Sequence, residues 1–398
     1  MPDVDLVVVG CGPAGGIAAR EAARSGVQTV VLERDAVVGA RRVCAAGLRP
    51  GFCEQFDVPA AIVHCETPHI GLISPSGRRY DFEVGAARTT TREELDGTIA
   101  QLARGEGVDI RTSALFRGVT TSSDAATVEY ADGQTGRRRH ISARRVFFAQ
   151  GSTARLDEGP FGYDRWPRGL ITCFQYRLFP SRPAVPVAYR TLEMHYYVSG
   201  SRRNVIAWMF PKRDHLAIGL GVMGKIAGSE LRAELDEFVR KLQRRLFPDV
   251  AYTIREEGNL LYGGKPRPTI ASGQLLLGGT AAGLVDATTG EGIHEAAASG
   301  RFAAEAVVAE KKGKTASAAV HYRRATTRAF YGRLRHRHKL MTFLERRPVR
   351  FDILFEQLES TPRFAKLLQH DRHDFTLPQW LYLYAQAARF GLRASVAR

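Results

Sequence analysis

The sequence is poor in cysteine, in acidic residues and in long apolar runs. Its five cysteines, at positions 11, 44, 53, 65 and 173, are odd in number and show no C-x-x-C spacing. A disulfide framework and a zinc site of paired cysteines are therefore excluded. The histidines, His64, His69, His195 and His215 among them, fall at no metal-ligand spacing, so no metal is expected. No stretch reaches the ~18 uncharged apolar residues that would cross a bilayer. Met1-Pro2-Asp3 carries no basic region, and the apolar run from Leu6 to Val9 is too short for a secretory signal. The expected compartment is the cytoplasm, with contact at a membrane surface left open. With 44% hydrophobic and 25% charged residues, the chain is neither disordered nor fibrous. Its 398 residues allow two or three domains. Against 57 Lys and Arg stand 41 Asp and Glu, a net charge of +16. That excess suits an anionic partner, such as an acidic redox protein. Nucleic acid fits the charge, but no recognition motif accompanies it, and none is expected as a partner.

What is present begins at the N-terminus. Val4 to Val9 is a short apolar run rich in β-branched residues, followed by Gly10-Cys11-Gly12-Pro13-Ala14-Gly15 and an alanine-rich stretch. A second apolar run, Thr29 to Leu32, ends at Glu33-Arg34. Strand, glycine turn, helix and strand in this spacing predict a dinucleotide-binding βαβ unit. Gly10 permits the tight turn, Gly12 lets the backbone approach a pyrophosphate, and Gly15 lets the helix pack on the strand. The N–H groups at the helix start, around Pro13 and Ala14, face the phosphates. Glu33 is placed to accept hydrogen bonds from the ribose hydroxyls.

A second glycine cluster follows another short apolar run: Gly278-Gly279-Thr280-Ala281-Ala282-Gly283, then Thr289-Gly290-Glu291-Gly292-Ile293 at a helix start. This resembles the second FAD signature of the flavoprotein monooxygenase and reductase superfamily, which usually reads G-D-A-A-G before a T-G-E-G-I turn. Thr280 stands where that pattern has its ribitol-binding aspartate, so weaker FAD retention is expected, because the charge-assisted bond is lost. The turn from Thr289 to Ile293 would offer backbone N–H groups to the pyrimidine edge of the flavin. Arg92, in Thr91-Arg92-Glu93-Glu94, resembles the FAD-contacting arginine of this superfamily, and the segment Val146 to Ser152, with Gly151, its A-D-G turn.

The middle of the chain reads as strands at 170–178, 191–198, 204–209 and 216–222, then as an amphipathic helix over 228–246. Three features there and upstream point to one family: Cys44-Ala45-Ala46-Gly47 after Arg42, the run Trp208-Met209-Phe210-Pro211-Lys212, and the T-G-E-G-I turn. Together they resemble the geranylgeranyl reductase family of flavoproteins, which saturate isolated double bonds of prenyl chains. Ile206 departs from the aromatic that opens the family's second motif. Pro211-Lys212 also reads as a plain strand end with a solvated charge.

The resemblance implies FAD as cofactor, held by Gly10, Gly12, Pro13, Ala14, Gly15, Glu33, Arg34, Arg42, Cys44, Ala45, Arg92, Gly151, Gly279, Thr280, Gly290, Glu291, Gly292 and Ile293. It implies catalytic roles for Cys44 and Trp208, and substrate contacts for Gly47, Phe174, Tyr196, Trp208, Phe210 and Pro211. The electron donor would be NAD(P)H or a ferredoxin-type partner, and the substrate a prenyl lipid or prenyl diphosphate. An isolated alkene has no carbonyl to accept charge, so such a site must hold it against the flavin and exclude water. Two other functions fit the scaffold: an FAD monooxygenase or halogenase, and a prenyl-binding carrier without redox work, which the Thr280 departure favours.

The expected fold is α/β: a Rossmann-type FAD-binding domain, an inserted antiparallel β-sheet substrate domain and a helical C-terminal region. The FAD-binding domain takes residues 1–65, 88–165 and 265–315, the sheet domain 66–87 and 166–264, and the helical region 316–398. From His321 to Arg350 that last region carries basic residues against the single acid Glu345. It reads either as a packed helical cap with a solvated basic face or as a surface for anionic lipid.

Overall fold

A computed structural model describes residues 2–40, 43–153, 161, 169–182, 189, 191–224, 226–369 and 376–396. The chain opens with β1 (Val4–Val9), α1 (Pro13–Arg24) and β2 (Thr29–Leu32). The two-residue strand β3 (Gly47–Leu48), the short helix α2 (Phe52–Gln55) and the hairpin β4 (Cys65–Ile73) and β5 (Arg79–Thr89) follow. Next come α3 (Arg92–Gly105), β6 (Asp109–Arg111) and the meander β7 (Ala114–Thr121), β8 (Ala126–Asp132) and β9 (Arg138–Phe148). The middle holds β10 (Leu170–Pro180), β11 (Leu192–Val198), β12 (Asn204–Pro211), β13 (Leu216–Met223), α4 (Gly228–Leu246) and β14 (Tyr252–Tyr262). Strands β15 (Ala271–Ser272) and β16 (Leu275–Leu277) lead to α5 (Ile293–Lys311). The C-terminal helices are α6 (Ala318–Thr326), α7 (Gly332–Glu345), α8 (Val349–Ser360), α9 (Pro362–Gln369) and α10 (Leu377–Val396).

Two sheets result. In the first, β16, β9, β1, β2 and β6 run side by side and parallel, with β15 on one edge and the antiparallel meander attached through β9. Its central strands carry continuous buried apolar runs, Leu6–Val9, Val30–Leu32 and Val146–Phe148, where helices cover them. Val7, Val8, Val31, Phe147 and Leu276 are buried in one core with Ile17, Ile99 and Ala303 of the helices. Gly300 of α5 crosses α1 so closely that a Cβ there would lie 2.1 Å from the Ala14 carbonyl oxygen.

The second sheet has the order β14, β10, β13, β12, β11, β4, β5, β3. It is antiparallel except at one joint, where β11 lies parallel to β4. The two strands there come from segments separated by the meander, so no hairpin fixes their direction. One face packs on α4, where Tyr176, Ala207, Met209, Ile218, Leu235 and Phe238 form a second core. Alternate residues of β12, namely Ile206, Trp208 and Phe210, point to the other face. That face meets the first domain on one side and the C-terminal helices on the other. There Tyr80, Tyr196, Phe351, Phe355 and Phe390 make a third core. The α/β class, the parallel dinucleotide sheet and the helical C-terminal region match the sequence reading. Among the described residues, no helix is long and apolar enough to cross a membrane.

Candidate functional site

The N-terminal turn has a geometry that only glycine adopts freely. Gly10 sits at φ +100°, and a Cβ on it would come within 2.6 Å of the Ala149 carbonyl oxygen. Gly12 caps α1 with no side-chain hydrogen bond, and Pro13 occupies the first helical turn. The α1 N–H groups are thus left for a ligand, and the helix dipole favours an anion there. Helix α3, by contrast, is capped by the Thr91 hydroxyl, which accepts from the Glu94 N–H. The start of α3 delivers Arg92 to the cradle: its Nη2 would lie 3.3 Å from a Cβ on Gly12. Arg92 is held there by Asp96 at 2.6 and 2.9 Å. Burial acts to lower the Arg92 pKa, but Asp96 and then Cys44 overcome it and keep the guanidinium charged.

Glu33 lies at the glycine turn, at the end of β2. It is buried, and its carboxylate accepts from the Cys11 N–H at 2.7 Å and the Asp35 N–H at 3.1 Å. It braces the glycine turn. Arg34 is exposed and stands 3.9 Å from Asp35. Arg42 lies outside the described residues.

The second glycine cluster adjoins the first. Gly279, at φ +57°, would touch Ala14 and Ala296 at 3.3 Å with any Cβ, and its N–H donates to Ser299 Oγ. Thr280 is half-buried, and among the described residues its hydroxyl has no partner. The 151–153 turn, which starts at Gly151, packs against the 279–282 turn. Beside it the Gln150 Oε1 is buried with no partner among the described residues. Gly290 N–H donates to the Asp286 carbonyl at 2.8 Å and Glu291 N–H to the Thr289 hydroxyl at 3.3 Å, while Gly292 caps α5 without a side-chain hydrogen bond and leaves the first N–H groups of that helix for a ligand. Two uncapped helix starts, an orphaned amide oxygen and a free hydroxyl at adjoining turns fit a bound dinucleotide.

The roof meets this floor through the C-x-x-G loop. Ala46 sits at φ +49°, and its N–H donates to Cys44 Sγ at 3.3 Å. A non-glycine residue there costs roughly 1–3 kcal/mol of strain. Gly47 leaves room for Phe210: a Cβ would lie 2.8 Å from the ring. The Thr89 hydroxyl donates to the Pro211 carbonyl at 2.7 Å. Trp208 lies across Gly219, where a Cβ would be 2.4 Å from the indole. Its Nε1–H donates to Gln175 Oε1 at 2.9 Å, and Gln175 Nε2 donates to Glu257 at 3.0 Å. Glu257 pairs with Arg177 at 2.7 Å, and Arg177 with Glu93 at 2.7 Å. The indole is thereby tied to the residue next to Arg92. Cys173 is on this face too, its thiol pushed up to about 12 by burial and then by Cys44.

Three substrate-contact expectations need correction. Phe174 faces α4, with Arg232 5.7 Å above its ring, because Trp208 shares its face with 173 and 175 and β10 alternates. Tyr196 is on the right face but is committed elsewhere: its hydroxyl donates to the Thr288 carbonyl at 2.9 Å, and its ring stacks on Phe351. Pro211 is buried at the end of β12 with its carbonyl occupied. Lys212 is no solvated charge. It is 2% exposed, and its Nζ donates to the Ala45 carbonyl at 2.5 Å.

Other residues escaped the sequence reading. Arg49, two residues after Gly47, reaches Glu291 at 2.5 Å and Glu295 at 2.6 Å. Arg333 of α7 also binds Glu295 at 2.5 Å, and Arg337 stands 3.4 Å from Asp286. Asp286 accepts from the N–H and hydroxyl of Thr288, shaping the turn before Gly290. Part of the basic C-terminal stretch therefore folds inward onto the site. No motif marks these arginines; an arginine after a C-x-x-G loop and acids inside the T-G-E-G-I turn were the available signals.

A parallel dinucleotide sheet with two glycine cradles, roofed by a second sheet, defines a Rossmann-type oxidoreductase fold of the flavoprotein class. No family model matches the sequence. The chain is 30% identical over 327 residues to geranylgeranyl diphosphate reductase of Synechocystis sp., covering 76% of this chain and 75% of that protein. It is 29% identical over 312 residues to digeranylgeranylglycerophospholipid reductase 1 of Methanopyrus kandleri, with 77% and 80% covered. The fold matches a geranylgeranyl bacteriochlorophyll reductase-like structure from Thermoplasma acidophilum at a TM-score of 0.74, 19% identity and 98% coverage of both chains. The chain belongs to the geranylgeranyl reductase family.

Proposed function

We propose that this protein is an FAD-dependent reductase that saturates isolated carbon–carbon double bonds of a prenyl chain. The observation that carries the reading is the meeting of the C-x-x-G loop, between Arg92 and Phe210, with the Trp208 strand above a dinucleotide cradle. Gly10, Gly12, Gly15 and Arg92 would hold the pyrophosphate, Thr280 the ribitol, and the turn from Gly290 to Ile293 the flavin edge. When bound, FAD supplies hydride chemistry that no amino-acid side chain offers. The chain's own part is position and protons. Trp208 and Phe210 present an apolar, aromatic face that orients a prenyl segment and keeps water from it. The hydrogen-bonded chain from Trp208 to Glu93 fixes the indole over the site. Cys44 stands on the floor side as the proton-bearing group. Reducing equivalents would come from NAD(P)H or a ferredoxin-type protein.

Protein reduced under nitrogen and mixed with geranylgeranyl diphosphate should yield product heavier by one hydrogen pair per saturated bond. Unchanged prenyl chain without oxygen, but an oxygenated product with it, would transfer the assignment to the monooxygenase reading. Failure to take up FAD while binding the prenyl chain would favour a carrier.

The same proposal includes peripheral membrane contact through α10. Leu377, Leu381, Tyr384 and Leu392 are 61–71% exposed and fall on one face of a helix that contains no acid. Arg389 borders them on one side, and beyond it Arg393 pairs with Glu356 at 2.7 Å. An apolar stripe edged by a cation suits an anionic lipid surface. Vesicles containing anionic lipid should sediment with the protein, and Leu381→Glu should weaken this at least about tenfold. Equal sedimentation of wild type and variant would remove α10 from the contact.

A further inference from the structure

Lys212 is a buried amine without a counter-ion. Among the described residues it makes no ion pair. Its Nζ is bonded to the Ala45 carbonyl oxygen, a neutral acceptor, and lies 5.9 Å from the Phe210 ring centre. The bond to Ala45 sets the amine beside the residue that follows Cys44 in the C-x-x-G loop, and the charges that act on it are those of Cys44, Arg177 of β10, Cys65 of β4 and Glu93 of α3. His215, whose carbonyl accepts the Lys212 N–H, lies in the turn after β12 and pairs with Asp214. His64 is paired with Glu94. Glu93 gives Oε1 to Arg177, its Oε2 being buried without a hydrogen-bond partner among the described residues, and Glu94 pairs with His64. A methionine would fill the same space at less cost, since an unpaired buried ammonium is expensive. The lysine therefore stands where its proton, not its bulk, is of use.

We infer that Lys212 is a proton reservoir for Cys44, a positioning residue that hands its proton to the thiolate across the C-x-x-G loop. The transfer breaks one N–H bond and forms one S–H bond with a sulfur lone pair. The nitrogen keeps the electron pair of the broken bond, nothing is oxidised or reduced, and solvent water restores the amine's proton. Burial first, and then the Arg177 charge, pull the lysine down to about 7, while Cys44 pulls the other way. The amine is thus near half-protonated at neutral pH, the condition for both giving and regaining a proton. The inference rests on the reductase reading only for its purpose; the geometry and the transfer need no substrate.

The test is the rate of Cys44 alkylation by iodoacetamide across pH, followed on the isolated Cys44 peptide of the full chain without prenyl substrate. Wild type should depart from a single ionisation, with a second inflection near neutrality where Lys212 changes charge. Lys212→Met should follow a single ionisation and react roughly tenfold more slowly below neutrality, having lost the adjacent cation. Lys212→Arg, which keeps the charge and cannot release it, should react as fast as wild type below neutrality but lack the second inflection. If Lys212→Met does not fold, the comparison of wild type with Lys212→Arg decides alone. Identical profiles for wild type and Lys212→Arg would show that the side chain only clamps the loop, and would overturn the inference. Absent prenyl reduction with an intact second inflection would count against the reductase reading and leave this one standing.

Discussion

Gly15→Ala is expected to give protein that retains no FAD. The added methyl would sit 1.9 Å from the Gly10 carbonyl oxygen and 3.0 Å from Val8. Both the oxygen and the strand behind it belong to the packed core, so α1 itself must withdraw. Its N-terminus would then leave the cradle, and with it the N–H groups that face the phosphates. Overpacking of this kind also costs about 1–3 kcal/mol of stability. Visible absorbance of the purified variant reports flavin retention, and urea unfolding reports stability. Gly97→Ala is the control: a Cβ there meets nothing within 4 Å on α3. It should keep FAD and gain stability by up to about 1 kcal/mol. Full flavin in Gly15→Ala would mean that the cradle is not the cofactor site.

The second large effect concerns Arg49. Arg49→Met should destabilise the protein by about 3 kcal/mol, because it leaves carboxylates facing each other without their shared cation. Glu295 is fully buried, and Arg333 alone would remain to it. Burial first, and then Glu295, raise the Glu291 pKa, against the pull of Arg49. Without Arg49, Glu291 should hold its proton to still higher pH. The sign follows: the variant's deficit is full where Glu291 would have to ionise and shrinks as pH falls and the carboxyl is protonated. Urea unfolding of both proteins at neutral and mildly acidic pH measures it. A deficit that grows toward acid pH would contradict the account.

These two cases show how far the sequence could be read. Gly15 was legible because close approach of a helix to a strand demands glycine at that spacing, and the demand is local. The roof strands were legible for the same reason. After Asn204, residues 205–209 form a short apolar run between Arg202-Arg203 and Pro211-Lys212, and β12 runs from Asn204 to Pro211. The helix expected over 228–246 is α4. Arg49 was not legible, because its partners lie more than two hundred residues away and no local pattern joins them. Phe174 failed through parity: in a strand a single position moves a side chain to the other face, and which face bears Trp208's neighbours depends on register between β10 and β13. Lys212 was misread because a lysine at a strand end is ordinarily solvated, and only the C-x-x-G loop folded over it makes it buried. Tyr196 shares the Trp208 face, but its hydroxyl donates to the carbonyl of Thr288 in a distant turn that no local pattern announces.

The central claim is that a prenyl double bond is reduced over this cradle by the bound flavin itself. A single turnover tests it most directly. Enzyme carrying FAD, reduced under nitrogen with no other reductant left, is mixed with excess geranylgeranyl diphosphate, and flavin absorbance and product mass are followed together. The account predicts one saturated double bond for each flavin reoxidised, and severe loss of both signals in Trp208→Ala with FAD still bound. Flavin that stays reduced beside an unchanged prenyl chain, or that reoxidises with no saturated product, would contradict it.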